Sequence, residues 1–307
     1  MWFACIRQNQ IRSSGPRALS WAAPMYVAIG IALLVIGSIL FHVLSPWRMT
    51  PIASNWASID QALLITLYIC AVAFIALNLF MAWAIWRYRH KPGNRAHYEP
   101  ENAKLEKRLT LWTGIGIAGM LAPGLAAWNE YVTVPDNAAI VEAVGQQWQW
   151  SFRYPGDDGV LGTTAIAHVT PDNGFGIDPR DPYGRDDILV ETNELHLPLG
   201  RPVKMVLRSK DVLHDFYVPQ FRAKMDLVPG IVTYFWMTPT VAGSFDILCA
   251  ELCGVGHHTM RGTVVVERQA EFDRWLSEQM TFGQQFALAG EGVQLAAATA
   301  PRGKGPR

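Results

Sequence analysis

The sequence predicts transmembrane α-helices followed by an all-β domain. Three observations carry this reading. Three long runs contain no Asp, Glu, Lys or Arg, short β-branched and aromatic runs replace them after about residue 136, and the chain is 50% hydrophobic but only 17% charged. Of the 307 residues, 26 are basic and 26 acidic, so net charge favours no partner. No basic cluster with interleaved aromatics supports binding of nucleic acid.

The charge-free runs are residues 18–47, 61–86 and 109–129. Crossing about 30 Å of hydrocarbon takes about 20 residues, and in lipid a helix is the open-chain form that pairs every backbone N–H and C=O. The first run, with its helix expected at about 22–45, could instead be a signal peptide, because Arg7, Arg12 and Arg17 precede it. Its apolar part is longer than a typical signal and no small-x-small site closes it, so an uncleaved helix is expected. Arg87, Arg89, Lys91, Arg95, Lys104, Lys107 and Arg108 crowd the second loop, whereas Arg48 is the sole basic residue in the first. The positive-inside rule then places 87–108 and the N-terminus in the cytoplasm. Everything after about residue 130 lies outside, in the periplasm or an equivalent space.

Beyond the helices, Ile140–Val144, Pro202–Arg208, Ile231–Met237, Ser244–Leu248 and Gly262–Glu267 read as strands. Val203, Met205 and Leu207 alternate with Lys204, Val206 and Arg208, the period of a half-buried strand. Turn signals such as Pro155-Gly156 and Pro229-Gly230 separate the runs, which points to a small sandwich or barrel. Residues 156–190 read as long loops. A short amphipathic helix is expected after Phe272, and a disordered Ala/Gly-rich tail from about 284. The expected organisation is an N-terminal segment over 1–60, a transmembrane hairpin over 61–130, an extracytoplasmic domain over 131–270, and the short helix and tail over 271–307.

Of the four cysteines, Cys70 sits in an apolar run and reads as a small buried thiol, while Cys249 and Cys253 are close neighbours. No CxxC or CxxCH occurs, which argues against a zinc ribbon or covalently attached haem. The informative stretch is Cys249-Ala-Glu251-Leu-Cys253-Gly-Val-Gly-His257-His-Thr-Met260, between two predicted strands. Thiolate, imidazole and thioether together favour copper, and oxygen-only sets would suit magnesium or calcium. A mononuclear blue-copper site needs one Cys, and two can each bridge two coppers. A second histidine is then required, and His214 in Asp211-Val-Leu-His214, after a predicted strand, is the natural candidate. A disulfide between Cys249 and Cys253 is the competing reading in an oxidising compartment.

At these residues the chain resembles cytochrome c oxidase subunit II. That family's copper loop reads C-x-E-x-C-G-x-x-H-x-x-M, and each fixed position is present. The aromatic run Gly145-Gln-Gln-Trp148-Gln-Trp150-Ser-Phe152-Arg-Tyr154 and the segment Pro219–Gly230 are similar to the family's, and the likeness spans about residues 61–268. The resemblance implies a two-helix hairpin, here with one extra N-terminal helix, and a cupredoxin-like Greek-key domain. It implies that Cys249 and Cys253 bridge two coppers, that His214 and Met260 complete one, and that His257 and the Glu251 carbonyl complete the other. It further implies a magnesium or manganese ion shared with subunit I through the Glu251 side chain, and electron uptake from cytochrome c at Trp148, with Trp150 packing nearby. His258 is out of register. Haem and oxygen chemistry would lie on subunit I, since His42 is the sole histidine in the three runs. Subunit III is a further expected partner, and a bacterial inner membrane the expected location.

Nine acids between Asp157 and Glu194, against Arg180 and Arg185, would form an acidic face for a basic cytochrome, although a solvated loop explains the same run. Three departures stand out: Arg153 where the family often has an acid, Gln149 where a Tyr is common, and Leu109 where a Glu often precedes the Trp112 position. Glu106 stands one turn before Leu109, and a proton-uptake role for it is open. These differences point to a divergent bacterial branch. Among rival functions, a quinol oxidase subunit II usually lacks the copper ligands. A thioredoxin-type copper chaperone carries its histidine after the cysteines, and a nitrous-oxide reductase copper domain lacks the membrane hairpin.

Overall fold

The computed structural model describes residues 22–45, 50–91, 93, 95 and 99–287. Cys5, the N-terminal arginines, Arg48 and the tail from 288 lie outside the described residues. Three helices, α1 (Ala23–Leu44), α2 (Ala57–Arg87) and α3 (Ala103–Val132), are each long and apolar enough to cross a membrane. Asn102 caps α3, its Oδ1 accepting from the Leu105 N–H at 3.0 Å. Large apolar side chains along all three helices are exposed, as a lipid-facing surface requires. Cys70 is exposed among them on α2 and not buried as the apolar run implied. In a membrane helix, apolar surroundings are lipid as readily as core.

The chain divides into two compact units, residues up to 49 with 63–119, and residues 50–62 with 120 onwards. In the second unit ten strands form two five-stranded sheets. One runs β3 (Ile188–Val190), β2 (Gln149–Tyr154), β1 (Ala139–Gln146), β5 (Val203–Ser209), β8 (Thr233–Met237). The other runs β4 (Glu194–Pro198), β10 (Arg261–Glu267), β9 (Gly243–Cys249), β6 (His214–Val218), β7 (Ala223–Leu227). β1 pairs with β5 and β10 with β4 in parallel, and the remaining pairs are antiparallel. One continuous core joins the sheets: Phe152, Met205 and Phe235 from the first meet Phe216, Ile247 and Val264 from the second. On β5 the predicted alternation holds, with Val203, Met205 and Leu207 buried. The predicted amphipathic helix is α4 (Gln269–Ser277), which starts a turn early and docks Phe272 into the core. Residues 282–287 are helical, and Phe282 fills a satellite core with Val144, Phe175 and Ile177.

Residues 50–62 are built into the sandwich. Trp56 is fully buried, donates from Nε1 to the Trp236 carbonyl at 3.1 Å, and packs on Tyr131 and Trp236 with centroids 5.1 and 4.9 Å away. Asp60 accepts two hydrogen bonds from the Arg222 guanidinium at 2.6 and 2.8 Å. Such planar, two-point pairing is stronger than a single contact.

Arg153, the base standing where the family often has an acid, is a buried cation, 3% exposed, donating from Nε to Glu142 at 2.5 Å and from Nη1 to Asp187 at 2.8 Å. Arg208 closes the set on the other Glu142 oxygen. The network joins β1, β2 and β5 to the end of the 156–190 loop, and Asp187 also accepts from the Gly162 N–H at 3.0 Å. Burial pushes the Asp187 carboxyl up to about 6 against the pull of Arg153. Its folded value lies above the unfolded one near 4, so between about pH 4 and 6 the folded state keeps a proton that the unfolded chain has released. This group's contribution to stability therefore fades as pH rises through that window. Urea unfolding of Asp187→Asn beside the parent should show the gap between them shifting by up to about 3 kcal/mol across pH 4–6. A constant gap would mean that Asp187 titrates normally.

Candidate metal centre

β9 delivers Cys249 at its last residue, and β10 begins directly after Met260, so the eleven residues 250–260 form one tight loop. Backbone bonds shape that loop: the Cys249 N–H donates to the Met260 carbonyl (3.2 Å), Ala250 to Asp215 (3.1 Å) and His257 to Gly254 (3.1 Å). Gly254 holds φ +120°, a conformation open to glycine, and the chain turns there between Cys253 and His257. His214 opens β6, whose Phe216 lies opposite Cys249 in the β6–β9 register. Two residues along a strand share a face, so His214 projects to the same side as Phe216, toward the loop.

The predicted donors converge. Cys249 and Cys253 are free thiols with 3.8 Å between their sulfurs. His214 Nδ1 is 3.9 Å from Cys249 Sγ, and His257 Nδ1 is 3.6 Å from Cys253 Sγ. Met260 Sδ stands 3.9 Å from Cys253 Sγ, and the Glu251 carbonyl 3.2 Å from Cys249 Sγ. The ligand atoms of His214, Cys249 and Cys253 all lie within 4.8 Å of one another, close enough to hold one metal cluster. His214, Cys249, Cys253 and Met260 are buried, while His257 and Glu251 are half-exposed and His258 points outward.

Electrostatics separate the two thiols. Burial works against ionising Cys249, but hydrogen bonding to His214 and to backbone groups outweighs it and holds that thiol below its ordinary range. At Cys253 burial raises the thiol's pKa, and the neighbouring Cys249 sulfur raises it further. Burial likewise disfavours charging His214, and its bonds to Cys249 and Asp211 reverse that, so its pKa rises. A soft cation bound by these thiols and imidazoles would take the place of the protons they carry.

Trp150 is fully buried and stands edge-on to His214 and Phe216, at 6.4 and 5.6 Å between centroids, which makes it part of the apolar shell. Trp148 is 37% exposed, with its indole Nε1 donating to the Cys253 carbonyl at 3.3 Å. Two residues were not singled out from sequence. Asp211 accepts from His214 Nε2 at 2.8 Å, and Gln147 donates from its side chain to the Cys253 carbonyl at 2.7 Å. The Asp-x-x-His spacing could have flagged Asp211, whereas nothing in the sequence marks Gln147. Glu106 lies exposed in the first turn of α3.

The acidic run is only partly a surface. Asp187 is buried, and hydrogen bonds from Arg180 hold the Asp178 carboxyl down at about 2. Asp181 accepts from Thr163 and Tyr183. Asp157, Asp158, Asp172, Glu191 and Glu194 are exposed.

A β-sandwich that brings two thiols, two imidazoles and a thioether together, on a chain with three membrane-length helices, is a membrane-anchored protein with a donor set that could hold a soft metal. Residues 139–268 match the family model described as cytochrome c oxidase subunit II, periplasmic domain. The alternative cytochrome c oxidase subunit 2 of Bradyrhizobium diazoefficiens is 55% identical over 258 residues, covering 84% of this chain and 93% of that one. Cytochrome c oxidase subunit 2 of Cereibacter sphaeroides is 27% identical over 240 residues, covering 75% and 77%. A solved periplasmic domain of subunit II of cytochrome oxidase from Bradyrhizobium japonicum is 28% identical, with 47% and 95% of the chains covered and a TM-score of 0.35. The chain belongs to the cytochrome c oxidase subunit II family. That family implies a copper A centre, and the donor set found here is soft, inward-facing and close enough to hold one.

Asp211 fixes the ring of His214 from behind. Asp211→Ala should weaken metal binding by about 10–100-fold, read as the copper affinity in competition with a chelator, and an unchanged affinity would remove that role.

Proposed function

We propose that this chain is the electron-accepting subunit of a haem-copper cytochrome c oxidase, taking electrons one at a time from cytochrome c for use on subunit I. The observation that supports it best is the convergence of Cys249, Cys253, His214, His257, Met260 and the Glu251 carbonyl around two sulfurs 3.8 Å apart. In this reading Cys249 and Cys253 would hold two coppers, with His214 and Met260 serving one metal and His257 and the Glu251 carbonyl the other. When bound, such a pair supplies a one-electron centre whose charge is shared over two metals.

The chain's own residues keep that centre rigid and dry. β6 and β9 are hydrogen-bonded neighbours, so the His214 and Cys249 backbones move as one sheet. Trp150, Phe216 and the core behind them exclude water, and a hydrophobic shell controls the dielectric around a metal. Trp148 offers a part-exposed indole one hydrogen bond from the backbone of Cys253 and is the electron-uptake residue of this proposal. The Glu251 side chain is assigned to a magnesium or manganese ion at the junction with subunit I. Subunit I supplies haem and the oxygen site, and subunit III completes the membrane complex. The three apolar helices anchor the chain as an extra N-terminal helix and a hairpin in a bacterial inner membrane, with boundaries near 60, 130 and 270 and the sandwich in the periplasm.

Two measurements test this. The purified protein should carry two coppers per chain and a many-line hyperfine pattern, and Cys253→Ser should collapse that pattern to a single-copper spectrum. A disulfide-linked, copper-free protein would end the proposal. Docking is the second point: neutralising the exposed Asp157, Asp158, Asp172, Glu191 and Glu194 together should raise KM for a basic cytochrome c several-fold at low salt and flatten its salt dependence. An unchanged salt slope would place the donor elsewhere.

A further inference from the structure

We infer that Gln147 is a positioning residue that fixes the Trp148 indole relative to the metal loop, an inference that rests on Trp148 being the electron-uptake residue. Gln147 and Trp148 are the two residues of the turn joining β1 to β2. Gln147 is the one residue of that turn tied in two directions. Its backbone N–H donates to Asp211 Oδ2 at 2.7 Å, while Asp211 Oδ1 accepts from His214 Nε2 at 2.8 Å. Its side-chain Nε2 donates to the Cys253 carbonyl at 2.7 Å. One side of the residue thus leads to the ring of His214 and the other to the backbone of Cys253.

The indole shares that same carbonyl, but at 3.3 Å. A contact at that length is the weaker of the two, so the amide of Gln147 anchors the turn and the indole follows it. The ligand loop is shaped to receive both groups. A Cβ added at Gly254 would lie 2.9 Å from Gln147 Nε2, and one at Gly256 would lie 2.4 Å from Trp148 Cδ2. Contact that close leaves the ring little room on its inner face. Its outer face is the exposed part. One electron crosses this region with no bond made or broken, and its rate falls steeply with any added separation, so a ring free to swing would slow uptake.

The test uses the whole, copper-loaded oxidase with reduced mitochondrial cytochrome c as donor. Gln147→Leu keeps the backbone bond to Asp211 and removes the amide. The expected result is an electron-uptake rate at saturating donor at least five-fold lower, with KM within two-fold and copper content and hyperfine pattern unchanged. In the metal-free protein, hydrogen exchange at the Trp148 indole N–H should quicken about ten-fold. Gln147→His, which restores a donor, should recover most of the rate. Should Gln147→Leu fail to assemble, Gln147→Glu has the same shape but faces the Cys253 carbonyl with a carboxylate, and should show the same loss. A rise in KM alone would make Gln147 a docking contact, and loss of copper would make it a support of the ligand loop; either result overturns the inference. Trp148→Phe separates the two levels. If it slows uptake while Gln147→Leu does not, the bracket fails and the role of Trp148 stands. If Trp148→Phe leaves uptake unchanged, the role of Trp148 fails, and the indole exchange rate still decides whether Gln147 holds the ring.

Discussion

The pairing of β6 with β9 is the constraint on which the site depends. His214 and Cys249 are 35 residues apart in the chain, yet the Phe216–Cys249 register brings the imidazole nitrogen within 3.9 Å of the sulfur. Slipping that register by one residue would turn His214 to the opposite face of the sheet. Everything else at the centre is local: Cys253, His257 and Met260 follow Cys249 within eleven residues. The fold is needed to bring in one distant ligand, and two hydrogen-bonded strands do it. The all-β scaffold is thus the part of the molecule that turns a short motif into a three-dimensional pocket.

How much was legible follows from that division. The loop Cys249–Met260 could be read because its chemistry is compressed into consecutive positions, and His214 because the donor set lacked a second imidazole beside His257. The strands around the pocket were visible where they alternate, as in β5, and hidden where they are short or buried on both faces, as in β3 and β4. Gln147 and Asp211 were missed for a different reason. Their importance lies in what they touch, not in what they are, and a glutamine in a two-residue turn has no sequence signature.

Arg153 could be read from sequence only as a base where the family often has an acid; in the structure it is a buried cation held by Glu142 and Asp187. Burying one guanidinium with two carboxylates is favourable only where each charge is paired, and Arg208 balances the second carboxylate. The acids that looked like one docking face therefore divide by role. Asp187 locks the 156–190 loop to the sheet, Asp178, Asp181 and the half-buried Asp186 shape the loop itself, and Asp157, Asp158, Asp172, Glu191 and Glu194 face solvent.

The loop's two glycines have a wider consequence. Because Gly254 and Gly256 leave no space for a side chain beneath Gln147 and Trp148, the inner surface of the loop admits nothing larger than glycine at these two positions. The outer surface carries no such demand: Leu252 and Val255 project 77% and 89% exposed between the donor residues. Substitution on the outer side of this loop can therefore change the surface it presents to solvent without disturbing a single donor.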